Sequence, residues 1–211
     1  MKKALFFIGY FIVPLVPVFL YLTSIGSPFN SYVLSVILGI YAFIMICNQF
    51  FLASKPSFAV KALGMKGFVS FHSTMPVCIV IVALAHKLLK ESNGYSEESF
   101  QATFGSVAWW IFAVVIVFTV LFMANTFWLK LDMLKKLKTF VYEKTGLNYK
   151  SSRVLHNVTV IAGVVILIHV FLATSSSYTV NFAGIAVMAC WMIFSLVLYL
   201  VYRLKGRKSL V

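Results

Sequence analysis

The stretch VLHNVTVIAGVVILIHVFLA, residues 154–173, runs for 20 residues without one Asp, Glu, Lys or Arg. A helix of that length rises about 30 Å, the thickness of a bilayer's hydrocarbon core, so the segment predicts a transmembrane helix. Comparable apolar runs lie at about residues 4–23, 31–53, 68–89, 107–128 and 180–202, which makes six spans in a chain of 211 residues. The composition agrees, with 62% hydrophobic residues, 11% charged residues and a mean hydropathy of +0.97. Such values lie far outside the soluble globular range. The expected fold class is an all-α integral membrane protein, a six-transmembrane-helix bundle forming a single domain over residues 1–211. The longest connection, from about Leu129 to Arg153, is too short for a nucleotide-binding domain of ordinary size, so soluble chemistry would come from a partner.

The first run, MKKALFFIGYFIVPLVPVFLYL, opens on two lysines as a secretory signal does. Its apolar part is longer than the usual signal core of about 7–15 residues, and Pro14 and Pro17 predict a kink buried against neighbouring helices. It is taken as a retained helix, with cleavage after Ser24 or Gly26 as the alternative. Cys47, Cys78 and Cys190 fall inside predicted spans without CxxC pairing, which points to packing residues rather than disulfides or metal ligands.

A formal net charge of +13 would suit nucleic acid in a soluble chain, but here the placement of the charges decides. All of the 18 Lys and Arg except Lys87 and Lys90 fall on the side shared by the termini and the second and fourth loops. The opposite side carries Glu91, Glu97 and Glu98. Positive charge inside therefore predicts cytoplasmic N- and C-termini in a multi-pass membrane protein. The basic face suits anionic lipid or an acidic soluble partner. The fourth loop, KLDMLKKLKTFVYEKTGLNYKSSR, spaces apolar residues among lysines and is expected along the cytoplasmic interface.

The chain has four histidines, all within two spans: His72 and His86 in the third, His156 and His169 in the fifth. Their separations of 14 and 13 residues correspond to about 21 and 20 Å along a helix. Both helices run outward, so His72 shares an inner level with His156 and His86 an outer level with His169. Two neutral imidazoles at one level suit the two faces of a haem, and two such levels make a ladder for electrons across the membrane. At about 100° per residue, 14 residues return to within about 40° of one face, whereas 13 miss by about 140°. The fifth span is therefore expected to be distorted, with Gly163 as the expected site, or to meet its two haems at different azimuths. The competing reading treats the histidines as polar contacts between helices in a haem-free small membrane transporter or assembly factor. A proton relay would recruit intramembrane carboxylates, and the six spans contain no Asp or Glu.

At these two helices the sequence resembles the ferric reductase-like transmembrane domain, the haem-binding core of NADPH oxidases and ferric reductases. The match is carried by His72, His86, His156 and His169, and the resemblance implies that separations of about 14 and 13 residues are a family trait. It further implies two haem b groups, with His72 and His156 on the inner iron and His86 and His169 on the outer. Larger relatives continue into FAD and NADPH domains, whereas this chain runs only to Val211 and looks like the stand-alone bacterial form. One similar small relative is the membrane subunit of the periplasmic methionine sulfoxide reductase system. The implied role is the membrane haem subunit of an oxidoreductase, fed by a separate flavoprotein or quinol, with no flavin or quinone motif of its own. Its acceptor would be extracytoplasmic: ferric iron, dioxygen or a partner reductase. Lys66 and Arg153 inside, and Lys87 and Lys90 outside, are candidate counter-ions for haem propionates. Trp109, Trp110 and Trp128 are expected at helix ends as interfacial anchors, and Trp191 within the sixth span.

Overall fold

The computed structural model describes residues 2–26, 29–95, 99–122, 131–146, 149–173 and 179–206. Glu97, Glu98, Trp128, Lys130, Arg207 and Lys208 lie outside these. Among the described residues all regular structure is helical: α1 (Lys2–Ile12), α2 (Leu15–Ile25), α3 (Ser31–Ala53), α4 (Ser57–Ser92), α5 (Phe100–Phe122), α6 (Asp132–Thr145), α7 (Tyr149–His156), α8 (Val158–Leu172) and α9 (Phe182–Leu204). Six helical stretches are long and apolar enough to cross a membrane: Lys2–Ile25, Ser31–Ala53, Ser57–Ser92, Phe100–Leu121, Ser151–Leu172 and Phe182–Leu204.

The first stretch breaks between α1 and α2 at Val13 and Pro14, and both Pro14 and Pro17 are buried. Proline has no N–H to give the carbonyl four residues back, which here belongs to Tyr10. Side chains of α3 serve the break instead. Asn48 Nδ2 donates to the Tyr10 carbonyl at 3.2 Å, and the Tyr41 hydroxyl donates to the Phe11 carbonyl at 3.3 Å. In an apolar surrounding such replacements are obligatory, because an unpaired carbonyl costs several kcal/mol. Asn48 Oδ1 also accepts from Trp191 Nε1 at 2.9 Å, so one α3 residue ties the first stretch to α9.

The third stretch extends beyond the predicted 68–89. α4 begins at Ser57 and turns a kink at Gly64, whose φ of 70° belongs to the left-handed region that glycine enters freely. The fourth begins at Phe100 rather than about 107, because the polar and small residues Gln101, Gly105 and Ser106 belong to the helix and line an internal cavity. The fifth is divided into α7 and α8 at Asn157. The distortion expected at Gly163 is thus displaced to the residue after His156. Asn157 N–H bonds Val154 and Val160 N–H bonds Asn157, both at 3.0 Å and both spanning three residues. Three-residue turns advance about 120° per residue, so they overwind the helix and lessen the angular mismatch between His156 and His169. The Thr159 hydroxyl takes the His156 carbonyl at 2.7 Å. Gly163 is instead a packing contact, where an added Cβ would lie 2.9 Å from the Phe50 ring.

α3 is the most buried helix and packs against α4 and α9, while α5 packs against α8. α4 and α8, which carry three of the four histidines, scarcely touch each other. The space between them is the cavity.

Candidate functional site

All four histidines line one cavity bounded by α3, α4, α5, α7, α8 and α9. It offers about 370 Å³ to the centres of water-sized molecules, within about 1940 Å³ of unfilled space that includes its open side. Its wall is mostly apolar with a few polar groups, the composition of a cofactor site.

At one level, His86 leans against α3 and His169 against α5 in the same way. His86 Nδ1 lies 2.7 Å from the Ser35 carbonyl oxygen, and His169 Nδ1 lies 2.8 Å from that of Gln101. A glycine follows each of those residues four positions on, one turn further along the helix. A Cβ on Gly39 would stand 2.8 Å from His86 Cε1 and Nδ1, and one on Gly105 would stand 2.9 Å from the same atoms of His169. Only glycine lets an imidazole lie this close to a helix backbone. A carbonyl oxygen can only accept, so each Nδ1 carries the proton and donates it. Nε2, across the ring, keeps its lone pair, as a metal-ligating imidazole requires. The two rings have centroids 6.4 Å apart with planes at 80°.

About fourteen residues away along α4, the other level is built differently. The Thr119 hydroxyl donates to the Val115 carbonyl at 2.7 Å, which uses its only proton. At 3.2 Å it therefore accepts from His156 Nδ1, leaving Nε2 of that ring with its lone pair too. Tyr199, a cavity-wall residue of α9, donates its hydroxyl to Asn157 Oδ1 at 3.5 Å and steadies the break beside His156. His72 stacks on Phe68, with centroids 6.5 Å apart and planes within 5°. Among the described residues its Nδ1 is buried without a hydrogen-bond partner, and Pro76 has no N–H for its carbonyl.

At the His86 end, Lys87 and Lys90 line the cavity. Lys87 Nζ pairs with Glu91 at 3.6 Å. Lys90 Nζ lies 3.9 Å from the Tyr32 ring centre and 4.3 Å from that of Tyr95, with no hydrogen-bond acceptor among the described residues. Lys66 is exposed, and neither it nor Arg153 is among the cavity-lining residues. Trp109, expected at a helix end, is a mid-helix wall residue whose Nε1 donates to the Val80 carbonyl at 3.1 Å.

Sequence reasoning finds the four histidines and misses the groups that hold them: Ser35 with Gly39, Gln101 with Gly105, and Thr119. Gly39 and Gly105 were available as a signal, each being the only glycine of its helix. A lone glycine costs about 0.8–1.0 kcal/mol in a helix interior relative to Ala, which makes each a position to test for a close approach, although Gly9 of α1 has nothing within 4 Å.

Among the described residues no group of three or more His, Cys, Asp or Glu could hold a bare metal ion. What the wall offers is one close pair of imidazoles, His86 and His169, with His72 and His156 elsewhere along it. Comparison of the chain with family models, with curated proteins and with solved structures finds no match in any of the three.

Proposed function

We propose that this chain is the membrane haem subunit of an oxidoreductase and moves electrons across a bacterial cell membrane through two stacked bis-histidine b-type haems. The observation that carries the reading is the His86–His169 pair. Their ring centres lie 6.4 Å apart with planes at 80°. Both rings have the proton on Nδ1 and a lone pair on Nε2, set by backbone carbonyls and by glycines that make room. His72 and His156, in the same cavity wall, would hold the second group.

A bound haem supplies a one-electron couple in which porphyrin and imidazoles spread the charge that bare hydrocarbon would penalise. The protein's own part is to fix imidazole tautomers, to keep a cavity open between α4 and α8, and to wall it with apolar side chains. Lys90, with no acceptor among the described residues at the His86 end, is placed to meet a carboxylate there. The lysine and arginine distribution supports cytoplasmic termini. On that orientation the level of His72 and His156 would face a cytoplasmic-side flavoprotein or quinol, and the level of His86 and His169 an extracytoplasmic acceptor such as ferric iron, dioxygen or a partner reductase.

The test is spectroscopic. Protein purified from haem-replete cells should show a Soret band that shifts on dithionite reduction, with about two haems per chain. A colourless preparation overturns the proposal and favours a haem-free transporter or assembly factor.

A further inference from the structure

Three of the four imidazoles have an oxygen at Nδ1: the carbonyls of Ser35 and Gln101 and the hydroxyl of Thr119. Among the described residues His72 has none, and its Nδ1 is buried. In the same cavity wall a second polar atom is buried without a partner, Oε1 of Gln49 on α3. The other end of that amide is engaged, Nε2 donating to the Tyr10 hydroxyl. A donor and an acceptor, each orphaned in an apolar region, stand on two helices packed against one another.

Register brings them together. α3 and α4 run antiparallel, with Ser35 opposite His86 and Ser31 bonded to Asn93 at 2.9 Å. Fourteen residues up α3 from Ser35 is Gln49, and fourteen residues back along α4 from His86 is His72. Each helix returns to within about 40° of its starting face over that interval. Gln49 and His72 thus lie one such interval further along the same pair of helices, and both line the cavity. The same step carries Gly39 to Ala53, another cavity-lining residue. Ala53 has the Cβ that Gly39 lacks, and among the described residues the His72 Nδ1 reaches no carbonyl. The Gln49 side chain offers an oxygen from the same helix instead.

We infer that Gln49 is the positioning residue of His72: its Oε1 accepts the Nδ1 proton of His72 and so fixes Nε2 as the ligating nitrogen at that level. The inference rests on the proposed haem function for its consequence, though the hydrogen bond itself does not. An acceptor at Nδ1 raises imidazole basicity and orients the ring, and loss of such a partner costs about 10–100-fold in metal affinity.

The experiment compares the full-length wild type with Gln49→Leu, Gln49→Glu and Tyr10→Phe, reading haem content, low-spin electron paramagnetic resonance and the two midpoint potentials. In Gln49→Leu one of the two low-spin signals should shift, its midpoint should rise, and that haem should be lost about tenfold more readily. The other signal should stay in place. Gln49→Glu keeps an acceptor oxygen and should retain both haems. Tyr10→Phe removes the partner of Nε2 only and should match wild type. Two unchanged signals in Gln49→Leu, an equal disturbance of both, or the same shift in Tyr10→Phe would each overturn the assignment. A wild type without haem would instead overturn the proposed function. In that case, or if Gln49→Leu does not fold, 15N-histidine spectra of the wild type decide: His72 protonated at Nδ1 supports the bond, and His72 protonated at Nε2 refutes it.

Discussion

Gly39 and His86 meet with no room for a methyl group between them, since a Cβ on Gly39 would lie 2.8 Å from two atoms of the imidazole. The closeness is what brings Nδ1 to within 2.7 Å of the Ser35 carbonyl. Gly39→Ala ordinarily adds helix propensity of about 0.8–1.0 kcal/mol. Here overpacking should reverse the sign, for a net loss of about 1–3 kcal/mol. On the two-haem reading, the group at the His86 level should be lost while the one at the His72 level remains. Gly105→Ala, on a different helix, should produce the same spectrum because it displaces His169 of the same pair. Haem content and thermal unfolding in detergent check both.

Pairing by level gives a test by combination. His86→Ala and His169→Ala should each remove one haem, and the double variant should remove no more than either alone. His72→Ala combined with His86→Ala should leave none. Haem-to-protein ratios of about one, one and zero are expected, on the two-haem reading, for His86→Ala, for His86→Ala with His169→Ala, and for His72→Ala with His86→Ala.

Thr119 holds His156 through an oxygen that has already given its proton to Val115. Thr119→Val keeps the shape and removes the acceptor, so the haem at the His156 level should bind about 10–100-fold more weakly. Thr119→Ser should restore it. Titration of haem into protein made without it reads the difference.

Gly163 separates packing from ligation. A Cβ there would press on Phe50 at 2.9 Å and would touch no histidine. Gly163→Ala should therefore lower stability by about 1–3 kcal/mol and leave both haem signals where they are. A shift of either signal would show that the α8 packing face and the haem levels are coupled.

Orientation is open to chemical labelling. Lys205→Cys should react with a membrane-impermeant thiol reagent only after the cells are opened, and Ser92→Cys should react in intact spheroplasts. Both positions are exposed at helix ends. The reverse pattern would invert the proposed direction of electron flow.

The six long helices are legible because an apolar run of about 20 residues has one stable solution in lipid, and the histidines because they are rare polar groups within such runs. The partners of the histidines are far less so. Ser35 and Gln101 act through main-chain carbonyls, which every residue possesses, and only the glycine one turn later distinguishes the place. The early start of α5 is hidden because Gln101 and Ser106 look like loop residues until the cavity they line is known. The fifth span shows both sides of this. Its 13-residue spacing predicts a distortion, but the position depends on Asn157, Thr159 and Tyr199 bonding across the break, and such contacts have no linear pattern.

The helices bearing His72, His86 and His169 are each braced by a neighbour, α4 by α3 and α8 by α5, and scarcely by each other. Tautomer and ring tilt at His86 and His169 are thereby settled within each pair of helices, while the sides of α4 and α8 that look toward one another are left to the cavity. A flat guest entering there would find those two imidazoles already held by backbone neighbours of their own.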